Sequence, residues 1–224
     1  MRALLTLVAA ALAGSAVTAA TPADAAVVTH AQVITVKVGS VTATTGVLEV
    51  WQRMSNGRYM RVYGPVPAHV GAAGIGAARA GSTKTPAGVW GLTQSFGIAP
   101  NPGSGLPYFR VDNNDWWVGD SGSPYYNQHY RCRPGHCPFR EDVSEHLLSV
   151  GPVYAYAAMI DFNTRPARPH GGAAFFLHVT DNTPTLGCVA VPRVNMIWLL
   201  RWLRPSAHPV ISIGLGFRAY RLMW

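Results

Sequence analysis

The chain has 224 residues with 23 glycines, 17 prolines and only 12% charged residues, enough for one domain with a real core but short of helix formers and rich in turns, which favours a mainly β fold. The formal net charge is +8, yet the basic residues are scattered and lysine occurs only at Lys37 and Lys84, which argues against a nucleic-acid-binding tract.

At the N-terminus Met1-Arg2 precedes the apolar run Ala3–Ala13, and small residues follow up to Ala23-Asp24-Ala25-Ala26. A positive start, an apolar centre and an A-x-A site are the parts of a cleavable export signal, so residues 1–26 are read as a leader and the remainder as secreted. No later segment offers the ~20 uninterrupted apolar residues of a membrane span, so no stable membrane insertion is expected after cleavage.

Residues 27–45 are rich in Thr, Val and Ala and read as a linker or a first edge strand. Residues 46–224 read as one domain without internal repeats. Val47–Trp51, the turn Ser55-Asn56-Gly57 and Tyr59–Tyr63 form a β-hairpin pattern, broken by Gly64-Pro65. The glycines at 71, 74, 76 and 81 lack the spacing of a phosphate-binding loop and mark a surface loop. Thr85-Pro86 turns into a strand at Val89–Leu92. Tyr108–Val111 and Trp116–Val118 around Asp112-Asn113-Asn114-Asp115 read as a second hairpin; the acidic turn lacks the distal glutamate of a calcium loop.

A long irregular stretch then holds Cys132 and Cys137 around Arg133-Pro134-Gly135-His136. Its turn composition favours a small-loop disulfide in an exported chain. A metal site using His136 lacks the separated second ligand pair of zinc motifs, so no metal and no cofactor is expected. Val143–Leu148 reads as a short helix and Val153–Ile160 as a strand. The rigid basic loop Arg165–Gly172 leads to a strand at Ala173–Val179, a loop at 180–187 and a strand from Cys188 to Val191. Pro192 opens a largely buried helix over 192–203, with Val194, Ile197, Trp198 and Arg201 on one face, and Pro205 ends it. Pro209–Leu215 is the last strand.

The chemistry concentrates in Phe175-Phe176-Leu177-His178-Val179 and Thr185-Leu186-Gly187-Cys188. With Cys132 and Cys137 paired, Cys188 is the odd cysteine. A free thiol titrates near ~8.5, and a nearby histidine or helix N-terminus lowers that value. Cys188 precedes the helix by a few residues, and His178 ends the strand that leads to its loop. Gly187 permits close backbone approach to a carbonyl, and the N–H groups of Gly187 and Cys188 are candidate oxyanion donors, typically worth about 10²–10³ in rate each. This is the equipment of acyl transfer through a thioester.

Phe176-Leu177-His178-Val179 with Thr185-Leu186-Gly187-Cys188-Val189 resembles the catalytic motif of the L,D-transpeptidases, the YkuD-type enzymes that cross-link the cell wall. Lys84–Val89, Trp117-Val118 with Asp120, Tyr126-Asn127 and Cys188–Pro192 extend the resemblance over most of the chain. It implies a β-sandwich-like domain with a few short helices, peptidoglycan stem peptides as substrate, and Cys188 as nucleophile with His178 as base. Gly187 then belongs to the oxyanion loop, and Thr185 shapes it. Two departures stand out. Ala190 occupies the place where many members carry a substrate-binding arginine, leaving Arg193, Arg168 or Arg165 to replace it. Many members also place the histidine further upstream of the cysteine, as His170-Gly171 stands here. His178 is preferred because it ends an apolar strand, with His170 kept as alternative base or substrate contact. Competing readings are an L,D-carboxypeptidase, the same site with water as acceptor, and a non-catalytic wall-binding module using Trp116, Trp117, Tyr125 and Tyr126.

Overall fold

The computed structural model describes residues 29–216, and the leader read over residues 1–26 lies outside them. In chain order the strands are β1 Gln32–Val38, β2 Thr45–Arg53, β3 Tyr59–His69, β4 Ile75–Gly76, β5 Thr85–Pro86, β6 Gly88–Gly97, β7 Tyr108–Arg110, β8 Asp115–Trp117, β9 His129–Arg131, β10 Glu145–His146, β11 Ala157–Ile160, β12 Phe176–Val179, β13 Val189–Val191 and β14 Val210–Leu215. One α-helix, α1 Arg193–Trp202, lies between β13 and β14.

The main sheet runs β11-β12-β13-β3-β2-β1-β14-β6-β7, and β11 also pairs with β6. That second pairing closes the sheet into a barrel and leaves β7 attached outside the ring. The fold is mainly β with few helices, as the composition indicated. β2 and β3 pair antiparallel on either side of the Asn56-Gly57 turn, the expected hairpin.

Closure decides the first strand. β1 lies between β2, antiparallel, and β14, parallel, and Val33, Ile34 and Val36 are fully buried. Gln32–Val38 is therefore neither linker nor edge. Its uncertain pattern comes from Gln32 and Thr35, buried polar residues whose side chains are satisfied: Gln32 Nε2 donates to Trp202 O at 2.8 Å, and Thr35 Oγ1 accepts from Trp51 Nε1 at 3.0 Å.

The wall β11-β12-β13 has apolar contacts on both faces. Leu177, Val179, Val189 and Val191 point into the barrel core with Ile34, Leu48, Leu92 and Leu199. Phe176 and Cys188 point outward into a second cluster with Phe96, Trp117, Leu147, Tyr154 and Met159. A strand buried on both faces reads as a continuous apolar run, which is how Phe175–Val179 looks in sequence. The roof of the outer cluster is a small sheet ordered β10-β8-β9.

This roof corrects two expectations. Tyr108–Arg110 and Asp115–Trp117 do not form a hairpin: β7 joins β6 in the barrel, and β8 joins β9 and β10 in the roof. Val143–Leu148 is not a helix. A single 3-10 turn covers Glu141–Val143, and Glu145–His146 pairs with Trp117 and Trp116. The strand expected over Val153–Ile160 begins as a 3-10 turn, Pro152–Ala155, and becomes β11 only at Ala157.

The Cys132–Cys137 disulfide is formed, with Cα atoms 5.3 Å apart. Glu141 closes its loop, its carboxylate accepting from Gly135 N at 2.9 Å and Cys137 N at 3.1 Å. The acidic turn serves the roof instead of a cation: Asp112 and Asp115 receive the Arg131 guanidinium at 2.7 and 2.6 Å. In α1 the buried face is Met196, Leu199 and Leu200, while Val194 is 70% exposed. The helix is thus amphipathic, not buried all round, and Trp198 stacks on Tyr63 at 3.9 Å.

Candidate active site

Strand register brings Cys188 and His178 to one face. β12 and β13 run parallel with Leu177 opposite Val189 and His178 opposite Ala190. Alternation then puts Phe176, His178, Cys188 and Ala190 on the outer face. Phe176 N donates to Cys188 Sγ at 3.3 Å, and Sγ lies 3.5 Å from Ala174 O. Ala157, opposite His178 on β11, is small and leaves room for the imidazole.

Two buried threonines hold the Cys188 backbone. Thr185 Oγ1 donates to Cys188 O at 2.7 Å and Thr85 Oγ1 donates to the same oxygen at 2.8 Å. Gly71 N in turn donates to Thr85 Oγ1 at 2.8 Å. Gly187 N donates to Thr185 Oγ1 at 3.1 Å, so in this resting geometry that donor is engaged and must let go before it serves an oxyanion. Gly187 has φ 133°, and a Cβ there would stand 2.8 Å from the Phe175 ring and 3.3 Å from Lys84 O. Gly187→Ala is expected to cost about 2–3 kcal/mol through backbone strain and this clash. A urea titration checks it, and unchanged stability would refute this account of the turn.

Burial sets the protonation states. Loss of hydration pushes the Cys188 thiol up from the ordinary 9.0 to about 12, with the Glu145 charge adding to it, against the opposing bond from Phe176 N. The resting thiol is therefore protonated. Burial also lowers His178, only partly offset by its bond to Val179 and the charge of Asp181, so the imidazole is neutral at pH 7. Its Nδ1 lies 2.8 Å from Val179 O. A carbonyl only accepts, so Nδ1 carries the hydrogen and Nε2 keeps its lone pair. Among the described residues no hydrogen bond joins this ring to Cys188.

A cleft of about 370 Å³ opens beside the thiol, lined by Trp117, Asp120, Tyr126, Arg140, Glu145 and Ala174 among others. Ala174 on its wall has its carbonyl 3.5 Å from Sγ, while Cys188 and His178 themselves do not line the cleft.

A family model described as the YkuD L,D-transpeptidase catalytic domain matches residues 36–211. The chain belongs to the YkuD family. No curated protein and no solved structure shows a significant match to it. The match implies a peptidoglycan-related transpeptidase family and contains every side chain named in this site. Among the described residues no helix is long and apolar enough to cross a membrane.

Within this YkuD domain, Cys188, Gly187, Thr185 and His178 converge. The arginines named from sequence do not line the cleft. Arg193 lies with its guanidinium carbon 4.9 Å over the Tyr156 ring. Arg168 is exposed in the 163–172 loop, its backbone N–H donating to Asn163 Oδ1 at 2.8 Å. His170 is exposed on the same loop, with Nδ1 3.2 Å from Ser121 Oγ. Ala190 is 1% exposed and pairs with His69, so the family's arginine position is closed off here. The arginine that lines the cleft is Arg140, whose guanidinium pairs with Asp142 at 2.6 Å. Sequence reading placed Thr85 and Asn127 in family-like stretches without giving either a role, and passed over Tyr154 and Glu145. For Thr85 a signal existed, the Thr-Pro step inside the family-like stretch Lys84–Val89.

Proposed function

We propose that this YkuD domain is an exported cysteine acyltransferase that cross-links or trims peptidoglycan stem peptides through a thioester on Cys188. One observation carries the reading: an otherwise unpaired thiol, its backbone fixed by Thr85 and Thr185, shares a strand face with a neutral histidine whose Nε2 is free to accept a proton. In the proposed cycle His178 Nε2 takes the Sγ proton as Sγ attacks the donor carbonyl, and passes it to the amine as the C–N bond breaks. An acceptor amine then attacks the thioester, giving its proton to His178 Nε2, which returns it to the departing sulfur. The disulfide and the A-x-A leader fit an extracytoplasmic, wall-associated protein. The reading of a non-catalytic wall-binding module loses its surface, because Trp116, Trp117 and Tyr126 are 5%, 2% and 5% exposed and belong to the packing.

The test is intact mass spectrometry of the mature protein with an activated acyl donor such as a carbapenem, followed by peptide mapping. A single adduct on Cys188 is expected. With stem-peptide donor and amine acceptor, His178→Ala is expected to lose about 10²–10⁴-fold in turnover, while His170→Ala stays near the native rate. The opposite pattern would move the base to His170.

A further inference from the structure

One charged side chain on the cleft wall has no part in the thioester cycle and, among the described residues, no cation of its own. Glu145, from β10 in the roof, lines the cleft beside Trp117, Val143 and Ala174. Its Oε2 accepts from the Tyr154 hydroxyl at 2.8 Å. The Tyr154 ring in turn packs edge-on against His178, with centroids 5.5 Å apart, so the carboxylate stands one phenol ring away from the imidazole. Among the described residues Tyr154 is the hydrogen-bond donor to this carboxylate, and no buried side-chain oxygen lacks a partner. Oε1, which receives no bond, is therefore the oxygen left open to the cleft.

The other charged groups of the wall are already engaged. Asp120 accepts from Gly122 N through Oδ1 and from Arg140 N through Oδ2, both at 3.0 Å. The Arg140 guanidinium reaches Asp142 through Nε at 3.3 Å and Nη2 at 2.6 Å. In a chain of formal net charge +8 the cleft thus carries the opposite sign: two carboxylates line it, with one guanidinium that is held by a third. Ala80, Val143, Ala173 and Trp117 add apolar wall, the kind of surface that an alkyl chain covers. An ammonium at the end of such a chain meets a carboxylate fixed from behind at one oxygen and open at the other.

We propose that Glu145 is a specificity-determining residue, its carboxylate taking a free side-chain ammonium carried by the acylating residue of the donor peptide. The proposal rests on Cys188 being the nucleophile and gives that reading a substrate feature. Proton chemistry assigns this ammonium to the donor and not to the acceptor. An attacking amine must lose its proton, and a carboxylate alongside keeps that proton on nitrogen; the amine that reacts belongs at His178, the one that is recognised at Glu145. The carboxylate gains from the contact as well. Burial pushes Glu145 up from the ordinary 4.5 to about 7, opposed only by the Tyr154 bond, and a cation against Oε1 favours the ionised form. A charge-assisted hydrogen bond of this kind is worth about 10–10²-fold in affinity.

The test uses three peptide thioester donors that differ only at the acylating residue: lysine, Nε-acetyl-lysine or norleucine. Acylation of Cys188 is followed at neutral pH by intact mass. Wild type is expected to take the lysine donor about 10–10²-fold faster, as a second-order rate, than either uncharged donor. Glu145→Gln is expected to shrink that preference to about twofold or less, Glu145→Asp to keep part of it, and Glu145→Lys to turn it against lysine. Equal rates for the three donors on wild type overturn the proposal without any variant, so a variant that fails to fold does not shield it. A Glu145→Gln protein that slows toward all three donors alike and keeps the lysine preference reduces Glu145 to a structural part and overturns the proposal too. Adducts from every donor with no preference remove the ammonium subsite and leave the acyltransferase reading standing. The reverse outcome is also readable. A lysine peptide amide that binds Cys188→Ala more tightly in calorimetry than its norleucine counterpart, and only with Glu145 in place, supports the ammonium subsite; if no donor then leaves an adduct on wild type, the acyltransferase reading alone falls.

Discussion

Cys188→Ala is expected to remain folded and to lose about 10⁶-fold in acyl transfer, the scale seen when a nucleophile is removed from a site whose parts act as a unit. The side chain is small and lies at the border of the outer cluster, in contact with Phe176 N and Ala174 O. Removing its sulfur gives up one weak acceptor and a little apolar packing, a loss of about 1 kcal/mol. The backbone anchors from Thr85 and Thr185 end on the carbonyl oxygen, which alanine retains. Thermal unfolding and turnover measured together make the check. An adduct that still forms on the variant, or a residual rate within tenfold of wild type, would place the nucleophile elsewhere. A variant that no longer folds would mean that Sγ carries more of the packing than its contacts account for.

The largest stability loss is expected at Asn127, a residue with no chemistry of its own. It is 3% exposed and sits at φ 57°, a left-handed conformation that asparagine tolerates better than alanine. Its Oδ1 accepts from Trp117 Nε1 at 2.8 Å and from Ala174 N at 3.1 Å. Its Nδ2 donates to Phe162 O at 3.1 Å and Asn163 O at 2.8 Å. One amide thereby ties the roof strand β8 to the segment that carries Ala174 against the thiol. Asn127→Ala strands two buried donors and two carbonyls, and about 3–5 kcal/mol should be lost, lowering Tm by about 10 °C. Asn127→Asp keeps the acceptors and loses the donors, so it should fall between. Because Ala174 O touches Sγ, acylation should slow in both variants even at temperatures where they stay folded. A Tm within about 2 °C of wild type would show that the clamp is dispensable.

What could be read ahead of the structure follows from sequence distance. Cys188, Gly187 and Thr185 are adjacent in the chain, and His178 ends a run whose apolar character on both faces is visible by eye; these were legible. Glu145 was not. Val143, Leu147 and Leu148 have helical spacing, but Leu147 is buried in the outer cluster and Glu145–His146 is drawn into a strand by pairing with β8, a tertiary effect that overrides local pattern. Tyr154 was read as one more strand residue. Its hydroxyl finds Glu145 only because Pro152 starts a tight turn there. The supposed hairpin over residues 108–118 failed for a related reason: a polar turn shows that the chain reverses or bends, not which strand each arm will join. Thr85 meets Cys188 across 103 positions, so the family-like stretch marked the residue while no local pattern could show its partner.

That long reach has a consequence for when the protein becomes active. The strands that close the barrel are far apart in sequence: β1 pairs with β14, and β6 with β11. Contacts of this kind form only after large loops are closed, and they are slow to assemble. The Cys188 carbonyl is anchored from both sides of that closure. A chain with the seam unzipped has the cysteine but neither the threonine clamp nor the histidine beside it. Under the proposed function, acylation is therefore expected to gauge ring closure, with the thiol idle until the whole domain has finished folding.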